Sequence, residues 1–341
     1  MLRSRFTIDL GAVRRNATRL TGVLGPTELW AVVKADGYGH GAVDVSRAVL
    51  AGGATALCVA TVAEARVLRH AFPDASLIVM GPTGEDDWNA AREARLELVV
   101  GVPGSIPDGI PLHLKLDTGM GRWGLGELPS RSADVVGVMS HFASADCDDD
   151  FTREQTRRFL AATDGLGDSV TRHLANSAGA LRFPEARLDA ARCGIALYGV
   201  SPFGTDPDAD GLEPALRWES ELAAVRWLGP GESTGYGRRF VAGEPTWIGI
   251  VPVGYADGFR RDLTGTQVLV DGERRRVVGT VSMDAVAVEL DRERSAGTPV
   301  TLIGDGILVE EHARVAATIG YELVCGLRMD PERAERTVVG G

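Results

Sequence analysis

The sequence LWAVVKADGYGHG, residues 29–41, decides the fold prediction. The apolar run 30–33 has the composition of a buried strand, it ends in Lys34, and Gly37, Gly39 and Gly41 follow. A buried strand that ends in this way presents an amine at the end of a sheet or at the mouth of a barrel. The commoner alternative is a lysine that simply extends its ammonium group into solvent.

Lysine is scarce in this chain. Of 36 basic residues, Lys34 and Lys115 are the two lysines and the other 34 are arginines. A composition with this bias places arginine wherever a positive charge is sufficient. A retained lysine therefore indicates chemistry that guanidinium cannot perform, such as losing a proton to become a nucleophile or a base. Chance can also leave two lysines, so the count alone decides nothing.

Strand-like runs alternate with helical patterns over about the first 190 residues. A short strand at 6–8 precedes a helix that Asp9 can cap and that runs to about Leu24. Further helices are predicted at 41–51, 63–71 and 152–163. Eight strands are predicted at 30–34, 56–60, 77–80, 98–100, 112–116, 135–140, 172–175 and around 190–192. Eight repeats without a glycine-rich nucleotide fingerprint favour a (β/α)8 TIM-type barrel, whose active sites lie at the C-terminal ends of the strands.

The character of the sequence changes after Tyr198. Residues 201–214 are rich in Pro, Gly and Asp and predict a linker. Short β runs follow at 222–228, 246–251, 267–270, 276–281, 285–290 and 299–303, with a VDGE hairpin signal at 270–273 and one helix near 310–319. We therefore predict a barrel domain at 1–217, whose first few residues can join the other domain, and a mostly β C-terminal domain at 218–341.

Composition excludes several classes of protein. The net charge of −11 disfavours nucleic acid and anionic membranes as partners. The four cysteines are scattered without a CxxC pair, so neither a metal site nor a disulfide framework is predicted. The start MLRSRFTIDL has no apolar signal-peptide core, and no apolar run approaches the roughly 20 residues that span a bilayer. A cytoplasmic location is expected.

Lys115 lies in HLKLDTGMGRWG, residues 113–124, and alternates with Leu114 and Leu116. It therefore points to the opposite face of its strand, into the barrel if the leucines pack outside. A lone buried ammonium is costly, so Lys115 needs a partner, for which Asp117 is the simplest choice, or a modification that removes its charge. Arg122, in the glycine-rich segment that follows, can bind a carboxylate with two hydrogen bonds or serve a structural role.

Polar residues also follow the later predicted strands. His141 ends a strand, where a hydrogen-bonded structural histidine is commoner than a base. Ser177, in HLANSAGAL, suits either a helix cap or a phosphate ligand. Arg192 precedes Gly194 and Ile195, whose N–H groups can hold an anion, although an ion pair at the barrel rim is the simpler role for the arginine.

Tyr255 lies in VPVGYADG, between Gly254 and Gly258. A buried tyrosine whose hydroxyl fixes a turn is the structural explanation for this pattern.

Together these segments resemble the alanine racemases, which are pyridoxal-phosphate enzymes with a barrel and a β domain. The resemblance runs from about Phe6 to about Cys325 and rests on KADGYGHG, LKLDTGMGR, SHFASAD, HLANSAGAL, ARCGIALYG, GYADGF and SMD in the family's order. It implies pyridoxal 5'-phosphate as cofactor and interconversion of L-alanine and D-alanine, which supplies D-alanine for peptidoglycan. It also implies a homodimer whose active sites are shared across the interface.

The resemblance assigns a role to each matching residue. Lys34 carries the cofactor and is one catalytic base, and Tyr255 is the second base, contributed across the dimer interface. Arg192 faces the pyridine nitrogen, and His141 links it to Tyr255. The positions that match phosphate contacts are Tyr38, Ser177, Gly194, Ile195 and Tyr321.

The remaining matches concern the substrate. Arg122 and the backbone of Met283 match the contacts to the substrate carboxylate. Lys115 matches a lysine that is carbamylated in many members, where the negative carbamate orients the arginine.

Two departures from the family pattern stand out. Ser282 occupies a position that is usually cysteine, and the tail reads GLRMDPERAERTV in place of an Arg-Val-Pro-Arg run, which leaves the final strand open. Three alternative functions remain. A broader amino-acid racemase, acting for example on serine, would share every catalytic residue. A related decarboxylase of basic amino acids would carry a cysteine near the C-terminal site, and a non-enzymatic pyridoxal-phosphate carrier would lack the second domain.

Overall fold

The computed structural model describes residues 3–102, 104, 106–129, 134–167 and 169–341. They form two compact units. The barrel unit contains Ala12–Phe203 and Asp208–Glu213, and the β unit contains the chain up to Gly11, Gly204–Pro207 and Pro214–Gly341. Within the described ranges, no helix combines the length and the apolar character needed to cross a membrane.

Eight parallel strands close into a barrel, which confirms the predicted (β/α)8 architecture. Each strand pairs with the next along the chain, and the last pairs with the first. The strands are Glu28–Val32, Ala56–Val59, Ser76–Val79, Glu97–Val100, Leu112–Lys115, Val135–Met139, Thr171–His173 and Ala190–Cys193. The helices are Leu10–Leu24, Lys34–Tyr38, Ala42–Ala51, Val62–Ala71, Glu85–Glu93, Asp149–Ala162 and Ser177–Arg182, with 3-10 turns at Pro184–Ala186, Ile195–Tyr198 and Pro207–Asp210.

The first barrel strand ends earlier than the sequence predicts. The prediction places its end at Lys34, but the strand stops at Val32 and Lys34 begins a short helix. Residues 35–37 have φ angles between 51° and 62°, a left-handed conformation that turns the chain at once. Two of these three residues are not glycine, so the sequence gives little warning of the turn.

The β unit is built on one nine-stranded sheet. In spatial order its strands are Ala224–Leu228, Thr246–Val251, Val286–Leu290, Glu273–Val278, Gln267–Val270, Pro299–Ile303, Leu216–Glu221, Arg5–Asp9 and Glu335–Val339. A ribbon of Ser233–Thr234 and Phe240–Val241, 3-10 turns at Tyr236–Arg238, Tyr255–Asp257 and Arg261–Leu263, and helices Val309–Val315 and Gly320–Gly326 complete the unit.

The hairpin predicted from VDGE is present. Val270 pairs with Glu273, and the two turn residues, Asp271 and Gly272, have φ angles of 55° and 78°. Positive φ at both positions is the geometry that a two-residue hairpin requires. The helix predicted near 310–319 is present as Val309–Val315, but it is shorter than predicted because the chain leaves the helical conformation at Ala317, φ 50°. A second short helix, Gly320–Gly326, follows it and was not predicted.

The two ends of the chain lie side by side in this sheet. Arg5–Asp9 pairs antiparallel with Leu216–Glu221 and parallel with Glu335–Val339. Phe6 stacks on Trp218 with ring centroids 5.0 Å apart, and both rings are buried. The final strand, which the tail sequence left open, is therefore present as an edge strand.

A buried carboxylate anchors the chain ends to the turn that carries Tyr255. Asp257, 1% exposed, accepts hydrogen bonds from the Arg333 Nε at 2.8 Å, the Gly254 N–H at 2.9 Å and the Arg3 Nη2 at 3.2 Å. Burial alone would raise the pKa of Asp257, but the hydrogen bonds from Arg333, Gly254 and Arg3 outweigh it, so this pKa lies below its usual value.

We expect Asp257→Asn to lower the free energy of unfolding at pH 7 by about 1–3 kcal/mol, because the arginines lose a desolvated charge partner. The depressed pKa makes this stabilisation complete above about pH 4, and it is lost as pH falls further. Urea denaturation of the wild type and the variant gives the difference in free energy of unfolding at pH 7 and at about pH 3. Asp284→Asn is the matched control, since Asp284 accepts from the same arginines but is 54% exposed. A larger loss for the control, or a loss at about pH 3 that is as large as the loss at pH 7, would contradict the account.

Candidate active site

Lys34 follows the first barrel strand at the C-terminal end of the barrel. The loop that carries it is fixed by two side-chain contacts. Glu64 Oε1 accepts the Ala35 N–H at 2.7 Å, and Asp36 Oδ1 accepts the Ala42 N–H at 2.8 Å. The amine therefore stands on a rigid turn at the barrel end where active sites of this architecture lie.

Tyr38, Ser177 and Gly194 meet at the same end of the barrel. The Gly194 N–H donates to Ser177 Oγ at 3.0 Å, and a Cβ at Gly194 would lie 2.4 Å from the Tyr38 hydroxyl oxygen. Only glycine leaves room for this approach. Ile195 begins a 3-10 turn directly afterwards. Two hydroxyl groups and backbone N–H groups that converge in this way fit an anion such as a phosphate ester.

Two contacts position the hydroxyl groups. The Tyr38 ring packs against Tyr198 with centroids 4.9 Å apart, and the Tyr198 hydroxyl donates to the Val32 carbonyl at 3.0 Å. Asn176 caps the helix Ser177–Arg182 by accepting the Gly179 N–H at 2.9 Å, which places Ser177 at the first helical position.

Arg192 is buried, with 3% exposure, and its acceptors among the described residues are backbone carbonyls and histidine nitrogens, without a carboxylate. Its Nη1 donates to the His173 carbonyl at 2.8 Å and to His173 Nδ1 at 3.0 Å. Its Nη2 donates to the carbonyls of Ser140 at 2.8 Å and Leu174 at 3.2 Å, and lies 3.3 Å from His141 Nδ1. Burial lowers the pKa of Arg192 to about 10, so the guanidinium still holds its proton at neutral pH. The interpretation as a rim ion pair is wrong, because no described carboxylate pairs with Arg192.

His141 is neutral in this setting. Burial lowers its pKa well below the usual value, and the charges of Arg192, Arg122, Lys115 and Lys34 lower it further. Because guanidinium can only donate, His141 Nδ1 accepts and its proton lies on Nε2. The buried Gln155 fixes the backbone here by donating to the His141 carbonyl at 3.1 Å.

Lys115 is 2% exposed and lies on the last position of its strand. Its Nζ is 4.6 Å from the ring centroid of Trp123, and the Arg122 guanidinium carbon is 4.2 Å from the same ring. Asp117 is not its hydrogen-bond partner, because that carboxylate accepts loop N–H groups at 2.9–3.2 Å. Burial, then Arg122 and Arg192, lower the pKa of Lys115 to about 8, and the weaker attraction of Asp117 opposes this.

Tyr255 and Met283 lie next to each other in the β unit. The Tyr255 N–H donates to the Ser282 carbonyl at 3.1 Å, and the Ala256 N–H donates to the Met283 carbonyl at 3.0 Å. A Cβ at Gly254 would lie 2.3 Å from the Ser282 carbonyl oxygen, so the turn requires glycine. Tyr255 is 42% exposed and Met283 is 52% exposed. The explanation of Tyr255 as a buried turn-fixing residue is therefore wrong, since backbone contacts and Asp257 hold this turn.

The predicted site residues thus fall into two groups. Those in the barrel unit that cluster at the strand ends are Lys34, Tyr38, Lys115, Arg122, His141, Ser177, Arg192, Gly194 and Ile195. In the β unit, Tyr321 lies on the helix Gly320–Gly326, an element separate from Tyr255 and Met283. From the sequence we assigned no role to Asp257 or to His173, a histidine that contacts Arg192. The Asp in GYADG, two residues after the tyrosine, was the available signal for the first.

Two family models cover most of the chain. The alanine racemase N-terminal domain matches residues 8–202, and the alanine racemase C-terminal domain matches residues 215–336. The chain belongs to the alanine racemase family. Its fold class and its place among racemases, which are isomerases, follow from that membership.

Individual members of the family are similar to this chain in sequence and in structure. The alanine racemase of Lactiplantibacillus plantarum is 38% identical over 95% of each chain, and that of Beutenbergia cavernae is 40% identical over 99% of this chain and 98% of the relative. The biosynthetic alanine racemase structure from Pseudomonas aeruginosa superposes with a TM-score of 0.92 at 35% identity, covering 99% of this chain and all of that one. The Streptomyces coelicolor A3(2) structure gives 0.90 at 35% identity, covering 100% and 99%.

The lowered pKa of Lys115 can be measured directly, because the chain has two lysines. With lysine labelled by carbon-13 at Cε, in buffer free of carbon dioxide, we expect the Lys115 signal to titrate at about pH 8. An exposed lysine titrates near about 10.4. A Lys34→Met variant leaves one lysine and assigns the signal. Titration of Lys115 above about pH 10 would contradict the burial argument.

Proposed function

We propose that this family member is an alanine racemase that uses pyridoxal 5'-phosphate and two bases, Lys34 and Tyr255, to move a proton at Cα of alanine. The observation that carries the proposal is family membership over nearly the full length. The position of Lys34 directly after the first barrel strand and the exposed position of Tyr255 on its turn support the two roles. The reaction removes the Cα proton on one face and returns a proton on the other.

The barrel unit has the groups that this cofactor needs. Lys34 supplies a primary amine for the aldehyde, and Tyr38, Ser177 and the N–H groups of Gly194 and Ile195 would hold the phosphate. The cradle that a Cβ at Gly194 would fill supports this fit. In the β unit, Tyr321 is proposed as a further phosphate contact. When bound, pyridoxal 5'-phosphate withdraws electron density from Cα of an attached amino acid and so makes its proton labile.

Arg192 would face the pyridine nitrogen. With its pKa at about 10, it offers a hydrogen bond but keeps its own proton. This limits the negative charge that can spread away from Cα, and it favours return of the proton to Cα over other outcomes. Arg192 therefore selects for racemisation. His141, which accepts from Arg192, would connect it to Tyr255.

Each base serves one face of Cα. Lys34 would take the proton of D-alanine, and Tyr255 that of L-alanine. A racemase needs its two bases on opposite faces of Cα. Following the arrangement that the family resemblance implies, we propose that a second copy of the chain supplies Tyr255 and that the enzyme is a homodimer.

The substrate carboxylate would contact Arg122 and the backbone N–H of Met283. We propose that the Lys115 amine adds to carbon dioxide, forming an N–C bond and releasing one proton, so that the product carries a negative charge. A pKa of about 8 supports this step, because only the neutral amine can add. The carbamate would orient Arg122, which shares the Trp123 ring with Lys115.

The product fits a biosynthetic use. We propose that the D-alanine supplies peptidoglycan and that the reaction takes place in the cytoplasm. All four cysteines are free thiols, as in proteins of a reducing compartment.

We expect the holoenzyme to be yellow, and borohydride to attach the cofactor covalently to the peptide that contains Lys34. Lys34→Arg should be inactive and take up no label, because guanidinium cannot form the linkage. Lys115→Arg is the matched control and should still be labelled at Lys34. Peptide mass spectrometry locates the label, and a label on any other residue would overturn the assignment.

Tyr255→Phe removes only the hydroxyl group, so cofactor binding should persist. In deuterated solvent this variant should still exchange the Cα proton of D-alanine, while exchange from L-alanine should fall by about 10²–10⁴-fold, the effect of a positioned general base. Racemisation should fall in both directions. Tyr236→Phe, which alters a tyrosine of the same unit that is 74% exposed, is the control. Equal loss of exchange from both enantiomers would show that Tyr255 is not a face-specific base.

A further inference from the structure

A line of hydrogen-bonded side chains crosses the barrel interior behind Arg192. His173 Nδ1 is 3.0 Å from Arg192 Nη1, His173 Nε2 is 3.0 Å from His113 Nδ1, and His113 Nε2 is 2.8 Å from Glu97 Oε2. Glu97 is the first residue of its strand and therefore lies at the N-terminal end of the barrel. The residues that would bind substrate lie at the opposite end, where the strands end. We call these four residues the Glu97 relay.

The hydrogen-bond donors and acceptors along the relay determine the tautomers of His173 and His113. Guanidinium only donates, so His173 Nδ1 must accept. A neutral imidazole has one donor and one acceptor, so the proton of His173 lies on Nε2 and is donated to His113 Nδ1. His113 then carries its own proton on Nε2 and donates it to Glu97. Burial, and then the Arg192 charge, lower the pKa of His173 well below its usual value, in agreement with a neutral ring.

The surrounding barrel is shaped around the two imidazole rings. A Cβ at Gly137 would lie 2.1 Å from His113 Nδ1, so the strand Val135–Met139 needs glycine there. The Trp30 indole packs edge-on against His113, with ring centroids 5.6 Å apart, and at a tilt of 57° against His173, with ring centroids 4.6 Å apart. Since neither ring has space to rotate, the line of contacts is a built feature of the core.

The charges around Arg192 explain why the Glu97 relay ends in a carboxylate. Among the described residues, the charged and titratable groups acting on Arg192 and its histidines are Lys34, Lys115, Arg122, Cys58 and Cys193. Burial raises the pKa of both thiols to about 12, so they stay neutral. Glu97 is ionised, because hydrogen bonds from His113 and Ser76 outweigh the effect of burial and lower its pKa. It is therefore the anion that the relay connects to the buried guanidinium.

We propose that Glu97 is a positioning residue for Arg192: through the two intervening histidines it orients the guanidinium and polarises it as a donor to the cofactor ring. Each hydrogen bond in such a line strengthens the next, so the carboxylate makes His173 Nδ1 a better acceptor. This proposal rests on the proposed function, and it extends the set of residues that control the reaction to the opposite end of the barrel.

The test uses Glu97→Gln, which keeps an oxygen acceptor and the side-chain shape but removes the charge. We expect kcat for alanine to fall by about 10- to 100-fold, as misplacement of a group remote from the chemistry does, with KM changed less than about twofold. Glu28→Gln is the matched control. Glu28 also opens a barrel strand, but it accepts from Trp30 Nε1 and Thr55 Oγ1 and, among the described residues, has no hydrogen bond to a histidine. It therefore reports the effect of disturbing the indole that packs on the two imidazole rings without removing the charge at the end of the relay.

A second readout needs no cofactor. In the apoenzyme labelled with nitrogen-15 histidine, His113 and His173 should each show a protonated Nε2 and an unprotonated Nδ1. Glu97→Gln should shift their N–H signals toward those of weaker hydrogen bonds, leaving the exposed His70 unchanged. His113→Asn provides an independent break in the relay. Combined with Glu97→Gln it should lower kcat no further than either change alone, because both interrupt one path.

The outcomes separate this proposal from the function on which it rests. Wild-type kcat in Glu97→Gln, equal losses in Glu97→Gln and Glu28→Gln, or a proton on His173 Nδ1 would each overturn the relay and leave the racemase assignment intact. A wild-type holoenzyme that does not racemise alanine would overturn both.

Discussion

The site depends on one buried guanidinium. A cation removed from water is costly unless its donors are satisfied, and Arg192 has no described acidic neighbour to share that cost. The fold meets this requirement with carbonyls at the ends of two adjacent strands and with two imidazole nitrogens. The positions of the strand ends, the neutrality of His141 and His173 and the glycine beside His113 all follow from holding this charge.

The same requirement explains the chemistry that the site favours. A buried arginine that keeps its proton is a donor of fixed direction, whereas a carboxylate at this position would accept a hydrogen bond from a protonated ring nitrogen of the proposed cofactor and so keep that nitrogen protonated. Lys115 and Arg122 add further positive charge that helps to keep His141 neutral. Burial, together with Arg122 and Arg192, lowers the pKa of Lys115 to about 8, so that more of its amine is neutral near neutral pH. The electrostatic environment of the barrel end therefore favours proton transfer at one carbon.

In the β unit, a buried carboxylate rather than a buried guanidinium holds the proposed functional segment in place. Its exposed tyrosine, Tyr255, and the neighbouring Met283 stand on a turn that backbone hydrogen bonds and the buried Asp257 hold in place. Asp257 ties this turn to Arg3 and Arg333, which flank the first and last strands of the sheet. Residues near both ends of the chain thus help to hold the turn that carries Tyr255, which we propose as the second base.

The sequence predicts the barrel well because its strands are buried on both faces and read as continuous apolar runs. The edge strand Glu335–Val339 escaped prediction since its mostly exposed residues show no such pattern. Lys34, Arg192 and Tyr255 were found through residue types in ordered motifs. The relay was not, because Glu97, His113 and His173 lie on three different strands. His113 and Lys115 are two positions apart, so they lie on the same face of their strand. Only the closed barrel brings Glu97 and His173 next to His113.

The most direct test of the account is turnover by the purified full chain. With added pyridoxal 5'-phosphate and a panel of L-amino acids that includes alanine, serine and lysine, chiral chromatography follows the appearance of each D-enantiomer, and released carbon dioxide is measured in parallel. The account predicts that L-alanine is converted to an equal mixture of enantiomers with a higher kcat/KM than any other substrate, without decarboxylation. Faster racemisation of serine than of alanine, decarboxylation of lysine, or no turnover of alanine would contradict it.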